Sequence, residues 1–239
     1  MSERVPRQSS TKQAAVPSGR RFLPVAAARV KKQLATLIGA QGPEEYRTAI
    51  TEVGESLGSA VRKKMPSPGE PFVLVSTPED ADFLVTGMLR SLDAEQARLI
   101  CYWTDRRTYP GERDLATVVQ SYVDPRIRRG IETVVIAKSI IASSCVVRTN
   151  LEKVLLELDP LRIIIAAPVM LRGAERRLKA AFPSSIAARF QFVSFAIDAH
   201  KDEQGLVAPG VGGMVEQRLG YVPSRRLPRL VSEWQTAIH

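Results

Sequence analysis

Cysteine and histidine are scarce in this chain of 239 residues, which contains two of each. So few sulfur and imidazole ligands exclude a disulfide framework and a cysteine-based zinc site, and we expect no metal. The chain also lacks the run of roughly 20 apolar residues that a membrane-spanning helix needs, and residues 1–30 lack the apolar block of a secretory signal. We therefore expect a cytoplasmic protein that has no membrane partner.

Positive charge is concentrated at the start of the chain. Residues 1–32 contain eight Lys or Arg residues against one acid, Glu3, so they carry seven of the nine net positive charges. Ser, Gln and Pro lie between these basic residues, which is typical of a disordered arm. Such an arm is either a solvated tail or, if the protein contacts nucleic acid, the place where that contact is expected.

From residue 33 onward, helix-like and strand-like patterns alternate. The first half predicts an amphipathic helix, a strand, a second helix, a second strand and an exposed loop, at residues 43–64, 72–75, 78–92, 99–103 and 104–114. The second half predicts strands at 133–137, 162–167 and 190–197, separated by helices at 146–158 and 171–181. Because the strands are unbroken runs of Val and Ile, they predict an α/β fold, a mostly parallel central sheet with helices on both faces.

Ligands of such sheets bind where the strands end, so the segments that follow them are candidate sites, at residues 138–145, 168–173 and 198–213. Lys138 comes directly after a buried strand. It is either an anion partner, an amine whose pKa falls on burial, or a side chain that extends into water. Ser143, Ser144 and Cys145 precede a helix whose free N–H groups favour an anion. The alternatives are a serine helix cap and a buried thiol.

The third segment combines carboxylates with many glycines. A strand ends at Asp198, a polar turn contains His200 and Asp202, and a glycine-rich stretch follows at residues 205–213. Glycine lets the backbone approach a ligand closely, so this stretch favours a planar ligand.

Residues 195–220 resemble the C-terminal signature of uracil phosphoribosyltransferases, in which a strand that ends in Asp leads through a turn to a Pro-Gly-x-Gly stretch. Residues 136–147 fall where that family has the loop that binds phosphoribosyl pyrophosphate. The resemblance covers about residues 33–221. It implies a three-layer phosphoribosyltransferase-like fold and a homodimer, flanked by the arm at 1–32 and an extension at 222–239.

The departures from the family occur mainly on the donor side. Lys138 stands where the family loop has Asp, and Ser144 and Cys145 stand where it has two glycines. These changes reverse a charge beside the sugar and add Cβ atoms where the phosphate would fit. On the base side, the matching residues are Asp198, Glu203, Gly205, Pro209, Gly210 and Gly212.

The sequence therefore predicts a divergent member that no longer transfers phosphoribosyl groups and binds, or also transforms, a small polar or planar metabolite without a cofactor. The predicted catalytic residues are Lys138, Asp198, His200 and Asp202. The predicted ligand-binding residues are Ser139, Ser143, Ser144, Cys145, Leu206, Val207, Pro209, Gly210, Gly212 and Gly213. Two alternatives stay open: a ligand-sensing regulator without catalysis, and an active enzyme that forms uridine monophosphate from uracil.

Overall fold

A computed structural model describes residues 19–107, 115–221 and 226–237 of the chain. Parts of the predicted arm, exposed loop and extension, at residues 1–18, 108–114, 222–225 and 238–239, lie outside the described residues. The strands in the described part are β1 (Arg20–Phe22), β2 (Phe72–Ser76), β3 (Ala97–Arg107), β4 (Leu115–Val123), β5 (Thr133–Ala137), β6 (Ile140–Ile141), β7 (Arg162–Ala166), β8 (Val169–Leu171), β9 (Phe190–Val193), β10 (Ala196–Asp198), β11 (His200–Lys201) and β12 (Val207–Ala208).

Most helices lie between these strands, and the last two follow β12. They are α1 (Ala28–Gly39), α2 (Pro43–Arg62), α3 (Pro78–Asp80), α4 (Thr86–Leu89), α5 (Cys145–Glu157), α6 (Ala174–Ala180), α7 (Ser184–Ala187), α8 (Val215–Arg218) and α9 (Arg229–Thr236), with a π-helical turn at Ala81–Val85 that joins α3 to α4. Within the described ranges, no helix combines the length and the apolar character needed to cross a membrane.

The central sheet has the strand order β4-β3-β2-β5-β7-β9, and its neighbours are parallel except for β4 and β3. Leu74, Val135 and Ile164 lie side by side on three of these strands and are fully buried. Alternate residues of β2 pack on opposite sides: Leu74 belongs to the core under α1 and α2, and Val73 to the core under α5. The predicted α/β class, a mostly parallel sheet covered on both faces, is confirmed.

A second sheet of short strands, in the order β1-β10-β8-β6, continues from the ends of the central strands. The predicted strand at 190–197 is therefore wrong as a single element, because β9 and β10 belong to different sheets. Between the two strands lies Ser194, whose buried hydroxyl donates to the carbonyls of Pro168 and Ala196. The predicted helix at 171–181 begins later, at Ala174, because Val169–Leu171 forms β8.

The helix predicted at 43–64 is observed as α2 over Pro43–Arg62, and its apolar face is buried against the sheet and its neighbours. Gly54 lies on this face, and a Cβ atom there would come 2.2 Å from the carbonyl oxygen of Leu84. A side chain at this position would separate the two helical backbones, so glycine is what permits their close packing.

Both ends of the described chain are more ordered than the sequence patterns predict. The first element is β1, and α1 follows with Val30, Leu34 and Leu37 buried, so the folded part begins before residue 33. The basic residues of α1 lie on its exposed side, opposite its buried apolar face. Net charge does not distinguish such an amphipathic helix from a disordered basic arm.

The C-terminal helix α9 packs on the body through Leu230 and Val231, which are buried. Asp82, in the π-helical turn, accepts the N–H of Leu230 at 2.9 Å and a guanidinium hydrogen bond from Arg226 at 2.6 Å. Trp234 donates its indole N–H to Asp124 at 2.8 Å. The C-terminal segment is therefore part of the folded domain.

Candidate functional site

A cleft of about 390 Å³ opens at the carboxyl ends of the central strands. Its described lining comes from Glu79 after β2, Thr104 on β3, the stretch 138–147 after β5, and Leu206 together with residues 213–216. This is the edge at which parallel α/β sheets bind ligands, because several strand ends and helix starts meet there. The sequence predicted this location.

The floor of the cleft is a buried ion cluster. The Lys138 ammonium lies 2.6 Å from Oε1 of Glu79 and 2.7 Å from Oδ2 of Asp80. The Asp80 side chain is fully buried, and that of Lys138 is only 10 % exposed. Burying two ions of opposite charge is tolerable because each compensates the other.

Hydrogen bonds complete the cluster. Lys138 donates to the Thr77 hydroxyl at 3.0 Å, Thr77 donates to Oδ2 of Asp80 at 2.9 Å, and the backbone N–H of Ser139 donates to Oδ1 of Asp80 at 3.0 Å. Burial alone would lower the pKa of Lys138, but the charges of Asp80 and Glu79 outweigh it and hold that pKa above its ordinary value. Lys138 is therefore a charged, fully engaged group and not an activated amine.

The pKa values of two carboxylates in the cleft, Glu79 and Glu216, are shifted in opposite directions. Burial would raise the pKa of Glu79, but the Lys138 charge and hydrogen bond hold that pKa below its ordinary value. The pKa of Glu216 is raised, first by burial and then by repulsion from Glu79. Lys138 is the only Lys or Arg among the described lining residues, so the cleft carries an excess of negative charge.

The loop between β6 and α5 lies along one side of the cleft. Ser144 has a left-handed backbone with φ of 68° and is the only described residue other than glycine with a positive φ. Its hydroxyl points away from the helix start and donates to the Ala174 carbonyl at 3.1 Å. The Cys145 thiol begins α5 and lies 3.5 Å from the Ser143 hydroxyl. The sequence pattern favoured Ser143 as a serine cap of α5, but the N-cap position is Ser144, and its side chain makes no cap hydrogen bond.

The predicted base-side residues are divided between the cleft and the interior. Leu206 and Gly213 line the cleft, whereas Val207, Pro209, Gly210 and Gly212 are not among its described lining. Gly210 has a φ of 55°, and a Cβ atom there would come 2.3 Å from the Val207 carbonyl oxygen. The glycine-rich segment, residues 205–213, thus turns back on itself and contacts the cleft at both ends.

Of the four predicted catalytic residues, Lys138 alone is among the described lining residues of the cleft. Lys138 lies on the cleft floor, whereas Asp198 is fully buried in β10 against Arg20. His200 is exposed on the hairpin of β11 and β12. Asp202, also exposed, accepts the N–H groups of Gln204 and Leu206 and so shapes the turn of that hairpin.

Glu79, Glu216 and Thr104 line the cleft but were not predicted from the sequence. Glu79 follows β2, whose end meets the end of β5 at the same sheet edge, so its strand position contained the signal. Glu216 lies where the family signature ends, in the run Met214-Val215-Glu216. The described residues contain no group of three or more His, Cys, Asp or Glu side chains that could hold a metal ion.

Comparison with known proteins adds sequence and fold relatives. A uracil phosphoribosyltransferase from Natronomonas pharaonis is 23% identical over 176 residues, which cover 74% of this chain and 74% of the relative. The structure of the AQ2163 protein from Aquifex aeolicus matches with a TM-score of 0.66 at 16% identity, covering 83% of this chain and 97% of that one. An adenine phosphoribosyltransferase from Thermoanaerobacter pseudethanolicus matches with a TM-score of 0.37 at 14% identity, covering 63% and 84% of the two chains.

No protein-family model matches the sequence. The AQ2163 likeness shows a shared fold that extends over most of both chains. The sequence match to a uracil phosphoribosyltransferase extends over three quarters of the chain, although few residues are identical. The resemblance to uracil phosphoribosyltransferases inferred from residues 195–220 and 136–147 is thereby confirmed: the chain is similar in sequence to a protein of that name.

Proposed function

We propose that this protein binds a small, polar or planar metabolite in the cleft and does not use phosphoribosyl pyrophosphate as a donor. The observation that carries the proposal is the pairing of Lys138 with Glu79 and Asp80. The one described cation of the cleft is already neutralised by two carboxylates, so it is not available to a phosphate group.

The charge of the cleft supports the same conclusion. Phosphoribosyl pyrophosphate is a polyanion, and it would have to approach Glu79 and Glu216 without a free described cation to offset them. The raised pKa of Glu216, caused by burial and by Glu79, reflects this crowding of negative charge. An uncharged or cationic ligand would not be repelled by these carboxylates.

The shape of the cleft supports a small ligand. Its volume of about 390 Å³ lies within the range of small-molecule sites. Ile140, Ile141, Leu206 and Met214 provide apolar contacts, while Thr104 and Ser139 provide hydroxyls. Apolar side chains beside a few polar groups suit a flat molecule that also forms hydrogen bonds.

A binding role accounts for the arrangement better than a catalytic one. Acid–base chemistry needs its groups within hydrogen-bond reach of one reacting atom. Asp198 is engaged with Arg20, and His200 and Asp202 are exposed and are not among the described lining residues of the cleft. This arrangement favours the ligand-sensing alternative over a transformation by the four predicted residues.

The competing function is uracil phosphoribosyl transfer, which the name of the Natronomonas pharaonis relative favours. Calorimetric titration with phosphoribosyl pyrophosphate and Mg²⁺, and an assay for uridine monophosphate from uracil and that donor, separate the two functions. We expect neither saturable donor binding nor product. Tight, magnesium-dependent donor binding, or product formation, would establish the transferase and reject the proposal.

A thermal-shift series tests the charge preference directly. Uracil serves as the uncharged planar probe, agmatine as the cationic probe and phosphoribosyl pyrophosphate as the anionic one. We expect the uncharged or the cationic probe to raise Tm. In Glu216→Gln, the increase caused by the cationic probe should be smaller. The control is Glu175→Gln, because Glu175 is exposed on α6 and is not among the described lining of the cleft.

Two partners remain proposals. A second copy of the chain is expected from the family resemblance, although the apolar face of α2 is used inside the domain. Light scattering on the purified protein tests the dimer. Nucleic acid is proposed only as a partner of the basic arm at residues 1–32. Deleting residues 1–18, which precede β1, should weaken such binding while leaving ligand binding in the cleft unchanged.

A further inference from the structure

Arg20, in the first described strand, forms the most buried ion pair of the described chain. β1 runs antiparallel to β10, with Arg20 opposite Asp198. The guanidinium donates from Nε to Oδ1 and from Nη2 to Oδ2 of Asp198, each at 2.7 Å. The two side chains are 2 % and 0 % exposed. This is the two-bond geometry that fixes both the distance and the orientation of the partners.

The same two side chains hold the middle of the glycine-rich segment. The N–H of Gly210 donates to Oδ2 of Asp198 at 2.8 Å, and the Arg20 guanidinium donates to the Gly210 carbonyl. Both polar backbone groups of Gly210 are therefore bonded by the pair. Gly210 has a left-handed backbone, and a Cβ atom there would come 2.3 Å from the Val207 carbonyl oxygen, so glycine is what permits this close approach.

Gly210 lies between two stretches that line the cleft. Leu206 precedes it, and Gly213 to Glu216 follow it. A segment that is fixed at its centre presents both of its flanks at defined positions. The location of Glu216 and Leu206 opposite the Cys145 loop thus depends on a residue near the start of the chain.

We propose that Arg20 is a positioning residue of the cleft: with Asp198 it sets the glycine-rich segment in the arrangement that binds the ligand. This inference rests on the proposed function only in taking the cleft as the ligand site. It makes docking of the N-terminal strand a condition for a formed cleft. Arg20 does not line the cleft itself and acts through Gly210.

Hydrogen exchange measured by mass spectrometry tests the proposal without a ligand. In Arg20→Met we expect peptides from residues 205–213 to exchange roughly 10- to 100-fold faster, the factor that corresponds to losing hydrogen bonds to a charged group. Peptides from β2 and β5 should be unchanged. The matched control is Arg21→Met, since Arg21 is the next residue of the same strand and is exposed.

A second variant separates positioning from charge compensation. Arg20→Met leaves the Asp198 carboxylate buried without a counter-charge, which is costly in free energy. Adding Asp198→Asn removes that cost but does not restore the hydrogen bond to the Gly210 carbonyl. We expect exchange at 205–213 to remain fast in the double variant. Arg20→Lys keeps the positive charge but not the two-bond geometry, so its exchange rate at residues 205–213 should lie between those of the wild type and Arg20→Met. This variant replaces Arg20→Met if the latter does not fold.

Maleimide labelling of Cys145 reports on the opening of the cleft. Cys145 is partly exposed, whereas Cys101 is fully buried, so labelling of the folded protein is specific. We expect faster labelling in Arg20→Met and in the double variant. Exchange that rises equally in β2 and β5, or that returns to the wild-type rate in the double variant, would overturn the proposal. Because neither measurement uses a ligand, donor binding that rejected the proposed function would leave this result unaffected.

Discussion

The Lys138 ammonium lies 2.7 Å from the Asp80 carboxylate, between the ends of two adjacent parallel strands. Each group would be costly to bury alone, and each makes the other's burial possible. The pair links the segment after β2 to the segment after β5 and lies at the floor of the cleft. The residue that departs most from the family pattern is thus a structural component of the floor.

Removing the cation should destabilise the fold strongly. In Lys138→Met the Asp80 and Glu79 carboxylates lose their counter-charge, so we expect a loss of about 3–5 kcal/mol in the free energy of unfolding. Urea denaturation measures it. The control is Lys153→Met, because Lys153 is exposed on α5 and its replacement should change stability by no more than about 0.5 kcal/mol. Equal effects of the two variants would show that the ion cluster contributes nothing.

Two carboxylates of the cleft should respond to pH with opposite signs. The pKa of Glu216 lies above its ordinary value of 4.5, so its ionised form disfavours folding at neutral pH, and this cost disappears as the pH falls to 4.5. Glu216→Gln should therefore raise Tm at about pH 7 and have no effect near pH 4.

Glu79 should behave in the reverse sense. Its pKa lies below the ordinary value of 4.5, so ionised Glu79 stabilises the fold above that pH, and the contribution is lost as the pH falls through the lowered pKa. Glu79→Gln should lower Tm at about pH 7, with a difference that shrinks in acid. Differential scanning fluorimetry over a pH series measures both variants, with exposed Glu203→Gln as control. A shift of the same sign for both variants would contradict the electrostatic assignment.

The C-terminal helix should contribute to stability through its buried face. Leu230 is 6 % exposed, and Leu230→Ala should cost about 2–5 kcal/mol, as for other buried leucines. Leu227 is 49 % exposed in the same segment, and Leu227→Ala should change stability by no more than about 0.5 kcal/mol. Denaturation curves of the two variants provide the comparison. A neutral Leu230→Ala would mean that α9 does not pack on the domain in solution.

The central architecture was predictable because local sequence determines it. The Val and Ile runs of β5 and β7 are buried on both faces, and that burial is what their unbroken apolar pattern predicts. The position of the cleft followed from the rule that parallel α/β sheets bind ligands where their strands end. A short strand such as β1, with two arginines in three residues, has no comparable pattern.

The partners of charged residues could not be derived in the same way. Lys138 meets Glu79 and Asp80 only because β2 and β5 are neighbours, and strand order is not encoded locally. Asp198 was assigned to the site because it ends a strand, whereas its side chain is taken up by Arg20, far away in sequence. Tertiary contacts of this kind decide whether a charged side chain is available for chemistry or has a structural role.

Buried carboxylates also connect both ends of the described chain to its body. Asp198 receives Arg20 from the N-terminal side, and Asp82 and Asp124 receive donors from Arg226 and Trp234 on the C-terminal side. An expression fragment cut at residues 33 and 221 would leave all three acids in an apolar interior with fewer partners. A fragment for crystallisation or ligand screening should therefore retain Arg20, Arg226 and Trp234.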